Sequence, residues 1–481
     1  MAAVVTGQSV VTSEALQRAP HLLVELTTTE KFSFTRDTLA EIQLVGLRKR
    51  FRDLVGCVPI LQRVADEQRL TDIERLEDGV LLLLPHTLYK SYPLSAIENG
   101  RFDQLTRWLG ALTSVDLSGV DASGCECIDD WIDALDAQTS LRLRHSSGTT
   151  GKLSFIPNGT PEDYTAAMGF GRYLEGFGAE ADAHVAGVGQ WPVIAFSHRH
   201  GAMSSARMAD AIVRYLYGGD ESKLIATNPG RISADLLSLG GRLEGARAKG
   251  QRGRLQLSPA LQRRREEFQR EQAEQPVRLQ QFFAQLAAMR GQAVILNGVL
   301  PAIFAVASAG LQQGLERLFA PHSLFFLAGG AKGQVFPDDY REQIARFSGV
   351  AYPPTGYGMT ESASSITRMC PQGRYHIQPN IIPYLIDPQS AEARPRAGVQ
   401  TGRYGFIDIA AQTRWGGFLT SDEMTIDWGD ETPCPCGRRG AYIKGEIRRL
   451  TDSEGGDDKI TCAGAPAVHD KAAEFLLRSI A

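Results

Sequence analysis

The 481-residue sequence lacks any long hydrophobic run. Its longest purely aliphatic stretch is Val80–Leu84, far short of the ~20 apolar residues that a membrane span needs. The start, MAAVVTGQSV, has no basic segment followed by an apolar core, so no secretory signal is expected. A surplus of one charge is missing too: 51 Lys+Arg against 55 Asp+Glu leave a net −4. That excludes the basic excess of a general nucleic-acid binder, and no acidic block forms a tail. Cysteine is sparse: seven residues, odd in number and unevenly placed. Such usage fits reduced thiols or a metal site in a cytoplasmic protein better than a disulfide scaffold. No internal repeat is visible. What remains is a globular balance, 43% hydrophobic and 22% charged, which rules out whole-chain disorder, collagen and coiled coil. At ~100–200 residues per domain, the length allows two to four domains, or one large body with a small appendage.

Residues 1–140 mix helical periodicity with short apolar runs. Apolar residues recur at helical spacing through Leu39–Leu61, which predicts an amphipathic helix. Val80–Leu84, ended by Pro85, reads as a buried strand. From residue 141 the pattern changes. Short apolar runs at Pro192–Phe196, Leu224–Ala226, Ala293–Leu296 and Leu324–Leu327 alternate with helix-like stretches. That alternation predicts an α/β architecture with largely buried strands. Gly240–Gln281 is polar and Arg-rich, with Ser258-Pro259 as a helix start. Its arginines are mixed with Glu266, Glu267 and Glu271, so it reads as a solvated helical insertion rather than a polyanion-binding arm. Strands follow at Arg403–Ala411 and Gly417–Trp428. The last stretch, from Gly445, is short and polar and closes with a small amphipathic helix around His469–Ile480.

The strongest local signal is HSSGTTGKLSF, His145–Phe155. Ser146 to Lys152 are all hydroxyl, glycine or lysine residues, as a polyphosphate requires. Glycines let backbone N–H groups approach, hydroxyls donate hydrogen bonds, and the lysine supplies charge. A Walker A loop is excluded, since that needs four residues between its glycines and Ser or Thr after the Lys. Here two residues separate Gly148 from Gly151, and Leu153 follows Lys152.

SSGTTGK resembles the phosphate loop of the adenylate-forming superfamily of acyl- and aryl-CoA ligases, luciferases and peptide-synthetase adenylation domains. Three further blocks stand in the family's order. FLAGGAKG, Phe326–Gly333, is similar to the Gly-rich segment bordering adenine and the acyl pocket. TGYGMTE, Thr355–Glu361, resembles the Tyr-Gly-x-Thr-Glu block, and FLTSDEMTI, Phe418–Ile426, the strand with a ribose-binding Asp. Together the four span residues 145–430. The resemblance implies an α/β adenylate-forming fold that uses ATP and Mg²⁺ to activate a small carboxylic acid. Ser146, Ser147, Thr149, Thr150 and Lys152 would surround the β- and γ-phosphates, with Gly148 and Gly151 admitting the backbone. Thr360 would contact the α-phosphate and Glu361 hold Mg²⁺; with Lys152 these are the expected catalytic residues. Tyr357 and Gly358 would lie by adenine, Gly330 at its border with the acyl pocket, and Asp422 on the ribose hydroxyls. Arg448 or Arg449 would touch ribose. His198, His200, Phe196 and Tyr352 would line the acyl pocket. The set is chemically coherent, because carboxylate attack on phosphorus needs in-line placement and neutralised charge above all.

Four other residues form a second constellation. Cys370 and His376 are separated by five residues, and Cys434 and Cys436 form CPCG after a gap of 57. Three thiols and an imidazole suit tetrahedral, structural Zn²⁺. The spacing resembles a zinc site in the phenylacetate–CoA-ligase-like branch of the superfamily. Cys57, Cys125, Cys127 and Cys462 fall outside it.

The likeness departs at the C-terminus. The resemblance implies a catalytic body over 1–444, with a helical insertion at about 240–281. Residues 445–481 would be a hinge, GEIRRLTDSEGGDDKI, and a truncated lid whose lysines, Lys459 and Lys471, sit in no lid motif. The acceptor therefore stays open: CoA, an acyl-acceptor protein thiol such as Cys462, or an amine, nitrite or partner reductase. Binding of nucleotide without turnover is the non-enzymatic alternative. A partner chain or a homodimer neighbour would cover the adenylate.

Overall fold

The computed structural model describes residues 13–146, 152–176, 187–248, 265–328, 334–363, 366–429 and 433–450. Ser147, Gly148, Thr149, Thr150, Gly151, Gly330, Ser258-Pro259 and the C-terminal stretch with Cys462 lie outside them. The strands are β1 (Leu84–Pro85), β2 (Arg144–His145), β3 (Phe155–Ile156), β4 (Val193–His200), β5 (Leu224–Arg231), β6 (Ile295–Val299) and β7 (Leu324–Ala328). They continue as β8 (Gly356–Tyr357), β9 (Thr367–Arg368), β10 (Tyr375–His376), β11 (Ile381–Ile386), β12 (Val399–Asp408), β13 (Gly417–Asp427) and β14 (Tyr442–Arg449). The main helices are α1 (Arg36–Val55), α2 (Pro59–Glu67), α3 (Ile128–Gln138), α4 (Thr160–Leu174) and α5 (Ser204–Leu216). After them come α6 (Ala234–Ala248), α7 (Arg265–Ala288), α8 (Leu300–Gln312) and α9 (Tyr340–Ser348).

Two sheets of six strands carry the fold, one parallel and one antiparallel. The first has the order β5-β4-β6-β7-β8-β9, parallel except for β9. Its inner strands β4, β6 and β7 carry apolar runs because both faces are covered. Phe170, Ile212 and Val213 from α4 and α5 pack with Val193 and Ile295 on one side. Phe282, Leu286, Ile303 and Phe347 from α7, α8 and α9 pack with Ile194 and Leu296 on the other. The expected α/β architecture is present here.

The second sheet has the order β10-β14-β13-β12-β11, antiparallel, with β1 added in parallel to β13. α1 and α2 cover it through Ile42, Leu47, Phe51 and Leu61 against Ile382, Tyr384 and Trp415. Elsewhere, α3 and α6 begin face to face and cap one another. The Asp235 carboxylate accepts from Ile128 N and Asp129 N at 2.9 Å each. The Asp129 carboxylate accepts from Ala234 N at 3.0 Å. Each fills orphan N–H groups of the other helix.

Two expectations are corrected. Leu39–Leu61 is two helices, broken at Gly56–Val58. Pro59 holds Val58 extended, at φ −112 and ψ 100, and opens the second helix at N1, as a proline disfavours helical geometry before it. Val80–Leu84 is mostly a 3₁₀ turn, Leu76–Leu82. Asp78 accepts from Glu74 N and Arg75 N, and only Leu84–Pro85 becomes strand. The ends of the expected helical insertion, Gly240 and Gln281, sit inside α6 and α7. Where described, the α7 part of that segment is helical and mostly exposed up to Gln281, and just beyond it Phe282, Phe283 and Leu286 enter the core. β14 runs across the expected 444/445 boundary. Gly445, with φ 74, stands where its pairing with β13 shifts register. Among the described residues no helix is long and apolar enough to cross a membrane.

Candidate functional site

The phosphate-loop segment is the connection of the β2–β3 hairpin. Ser146 and Ser154 close its base, with Ser146 N donating to Ser154 O at 3.1 Å and Ser154 N to Ser146 Oγ at 3.0 Å. Ser146 is buried, so its hydroxyl serves this closure. His145, fully buried, has Nδ1 2.9 Å from the Ser146 carbonyl. Burial above all pushes this imidazole down to about 4. It is therefore neutral at physiological pH, and an Nδ1–H donates to Ser146. At the exit, Lys152 Nζ donates to the carbonyls of Tyr92 at 2.6 Å and Lys90 at 3.2 Å. It also sits 5.0 Å from the Tyr92 ring centroid. Desolvation, then the Lys90 charge, lowers its pKa.

Asp422 is 8% exposed on β13 and collects three partners. Tyr357 Oη donates to its Oδ2 at 2.9 Å, Arg449 Nη1 lies 3.1 Å from Oδ1, and its own N–H donates to Thr420 Oγ1 at 3.0 Å. The register that pairs Asp422 with Arg449 across β13–β14 sets this geometry. Desolvation, then the Asp422 charge, pushes the Tyr357 hydroxyl well above its ordinary pKa. A carboxylate has about four lone-pair sites, so two remain for a diol. Three residues that the sequence places apart, on β8, β13 and β14, thus meet at one point.

Thr360 and Glu361 ride on the β8–β9 connection next to it. Gly358 is required there: a Cβ would lie 2.6 Å from Ile366 Cγ1 and 2.9 Å from Ile366 Cα. Arg414 donates to the Glu361 carbonyl and, through Nε, to Asn158 Oδ1 at 3.0 Å. Desolvation raises the pKa of the Glu361 carboxyl, which has no ion-pair partner among the described residues.

Cys370, His376, Cys434 and Cys436 converge, all four ligand atoms within 4.8 Å of one another. Cys370 Sγ lies 4.0 Å from Cys434 Sγ, and Cys436 Sγ 3.3 Å from His376 Nε2. Two tight turns present them: Gly373 N donates to Cys370 O at 2.9 Å, and Gly437 N to Cys434 O at 2.8 Å. Burial, then the Arg438 and Arg374 charges, push His376 down to about 3, leaving a neutral ring able to ligate. Burial pushes the Cys436 thiol up to about 12, neighbouring thiols adding to it. A bound cation would have to displace that proton.

The residues expected around an acyl group are spread more widely. His198 is buried on β4 opposite Asn228, and His200 is exposed opposite Arg231. Phe196 packs in the core. Tyr352 leans on Tyr340, ring centroids 5.8 Å apart, and on Arg341 at 5.4 Å.

No protein-family model matches the chain, and no curated protein matches it. Solved structures do. An open conformation of 2-hydroxyisobutyryl-CoA ligase, in complex with 2-HIB-AMP and CoA, aligns at 13% identity with a TM-score of 0.49. It covers 87% of this chain and 71% of that one. ATP-bound MatB from Rhodopseudomonas palustris aligns at 13% identity and TM-score 0.34, over 64% of this chain and 47% of that one. A long-chain-fatty-acid-CoA ligase from Archaeoglobus fulgidus aligns at 12% and 0.32, over 65% and 52%. At these values no activity or substrate passes from them to this chain.

The sequence motifs did not reveal the residues that hold the site in place. Asp408, fully buried, accepts from Ala363 N at 2.7 Å, Asn380 Nδ2 at 2.9 Å and Ala410 N at 2.9 Å. Glu162, also fully buried, accepts from Gly159 N, Gln412 N, Thr413 N and Thr413 Oγ1. Only Glu162 left a trace in sequence, as the acid of a Gly-Thr-Pro-Glu helix start.

Proposed function

We propose that the chain is an adenylate-forming ligase of the phenylacetate–CoA-ligase-like branch. It activates a small carboxylic acid with ATP in the cytoplasm, releases pyrophosphate, and passes the acyl group to a thiol of CoA or of an acceptor protein, with AMP as the leaving group. One observation supports this most. Tyr357, Asp422 and Arg449 converge beside the hairpin tip bearing Thr360 and Glu361, as motif blocks far apart in sequence require. Asp422 would accept the ribose hydroxyls, with Arg449 at its edge, and Tyr357 would lie by adenine together with Gly358. Thr360 would donate to the α-phosphate. The loop Ser146–Lys152, led by Ser147, Thr149, Thr150 and the N–H groups around Gly148 and Gly151, would hold the β- and γ-phosphates. Gly330 would border adenine, and His198, His200 and Tyr352 the acyl group. In the reaction a carboxylate oxygen bonds to the α-phosphorus while the bond from that phosphorus to the bridging oxygen of pyrophosphate breaks. The chain's contribution is alignment and charge neutralisation.

Glu361 fits Mg²⁺, being a carboxylate without an ion-pair partner among the described residues; the metal would neutralise phosphate charge there. The Cys₃His set fits Zn²⁺, whose ~2.3 Å bonds to sulfur place tetrahedral ligands about 3.8 Å apart. Four protein ligands leave no open position, so zinc would be structural, fastening the Cys370–His376 turn to the segment that leads into β14 and Arg449. Pyrophosphate release from ATP across a panel of aryl and aliphatic acids tests the proposal. One or more acids should drive release, and Asp422→Ala should reduce it at least about tenfold. Absence of release with every acid, or full activity in the variant, would overturn it.

A further inference from the structure

The antiparallel sheet borders a cavity of about 450 Å³, between α1, the 3₁₀ turn at Leu76 and the far end of β13. Its size is that of a small-molecule site. Its walls are chiefly apolar, with Leu39, Leu44 and Pro383 among them. One wall is not. Arg396 lines the cavity with its guanidinium 5.3 Å from the Trp428 ring and 5.7 Å from that of Tyr384. Arg396 has no carboxylate at ion-pair distance among the described residues, and its Nε has no hydrogen-bond partner among them. Trp428, 6% exposed, and Gln378 stand in the same wall, and the buried Trp428 Nε1 and Gln378 Oε1 are likewise unpartnered among the described residues. A half-buried guanidinium against aromatic rings, whose attracting carboxylate Glu77 stays beyond ion-pair distance, keeps its charge unpaired at a cost. Two unsatisfied polar atoms beside it add to that cost.

We propose that this cavity binds a small organic monocarboxylate, its carboxylate on Arg396 and its apolar body against the aliphatic walls. The guanidinium supplies the paired donors that a carboxylate accepts. Arg36 and Arg75 also line the cavity, as do Glu41 and Glu77, which set a limit on negative charge. That balance favours one carboxylate over a phosphate or a dianion. The site is distinct from the nucleotide site and does not rest on the reading of it. Trp428 stands just past the end of β13, six residues from Asp422, about 20 Å of extended chain.

The test uses the full chain labelled with 5-fluorotryptophan, and 2-naphthoate as probe. The resonance missing from Trp428→Phe identifies Trp428 among the five tryptophans. It should move saturably with 2-naphthoate, and at least about tenfold more weakly with the neutral 2-naphthamide, because the amide loses the charge-assisted bond. Arg396→Met should weaken naphthoate binding by a similar factor, and Arg396→Lys should restore part of it. A Trp428 resonance unmoved by naphthoate would mean a cavity holding only water and would overturn the proposal. Equal binding of acid and amide, or undiminished binding by Arg396→Met, would do the same. If Arg396→Met does not fold, the comparison of acid with amide on the unaltered protein decides.

Discussion

Asp422 shows how much of the proposed chemistry hangs on single atoms. Its two oxygens are held by Tyr357 and Arg449, so a nucleotide would meet a carboxylate already oriented. Tyr357→Phe removes one neutral–charged hydrogen bond and should weaken ATP binding about fivefold; Asp422→Ala should cost about 10–100-fold. Equilibrium binding of ATP measures both, and equal affinities in all three proteins would remove Asp422 from the site. His145 offers a different probe. Burial holds its folded pKa near 4, below the ordinary ~6.5 of the unfolded chain. The sign follows from that difference. Above pH ~6.5 both states are neutral and the stability is fully present; as pH falls toward 4 the unfolded state takes up a proton that the folded state refuses, and stability is lost. His145→Gln should flatten this acid limb of a denaturant-midpoint profile between pH 6.5 and 4. An unchanged slope would show that His145 is not the group responsible. Nothing in the SSGTTGK pattern marks the histidine before it for this role, because the cause is the packing around β2.

Among the elements, legibility followed range. The strands β4 to β7 were readable, since a buried parallel strand is an apolar run bounded by turns. The break between α1 and α2 was also written in the chain, at Pro59, and was masked by apolar periodicity on both sides of it. Val80–Leu84 misled because five aliphatic residues do not say which face is buried. There Asp78, through local hydrogen bonds, turned the backbone instead. Asp408 and Arg414 were illegible for another reason: beside one local contact each, their partners are backbone groups or amides 28 to 256 residues away. The Cys₃His set could be read because two short turns each present their own ligands, so only one long-range pairing had to be assumed. That arrangement makes a prediction at the level of elements. With zinc, the β9–β10 turn and the β14 approach become one unit. Elemental analysis should give about one zinc per chain, and Cys434→Ser should lose both the metal and several degrees of melting temperature. Metal-free protein that melts where the wild type does would refute a structural zinc.

At the scale of the molecule, the question is what makes two sheets one body. Buried polar contacts cross between them at the β12–β13 connection. The Glu162 carboxylate, at the start of α4, receives Gln412 N at 2.6 Å, Thr413 N at 2.7 Å and Thr413 Oγ1 at 2.8 Å. Arg414 reaches Asn158, and Thr113 Oγ1 donates to the Thr413 carbonyl at 2.8 Å. The same connection supports Glu361 through Arg414, so the contact that joins the halves also sets the hairpin tip of the candidate site. Glu162 is fully buried. Removing its carboxylate strands several buried N–H and O–H groups at once, each costing about 1–3 kcal/mol. Glu162→Ala should therefore lose about 3–5 kcal/mol, at the severe end for one substitution. Glu162→Gln keeps the shape and one acceptor and should fall between it and the wild type. The two halves should also uncouple. The wild type should melt in one calorimetric transition, and Glu162→Ala in two, as each half unfolds around its own apolar core. A single transition in Glu162→Ala, displaced by less than 1 kcal/mol, would show that apolar packing alone unites the sheets and that this polar seam contributes only local order.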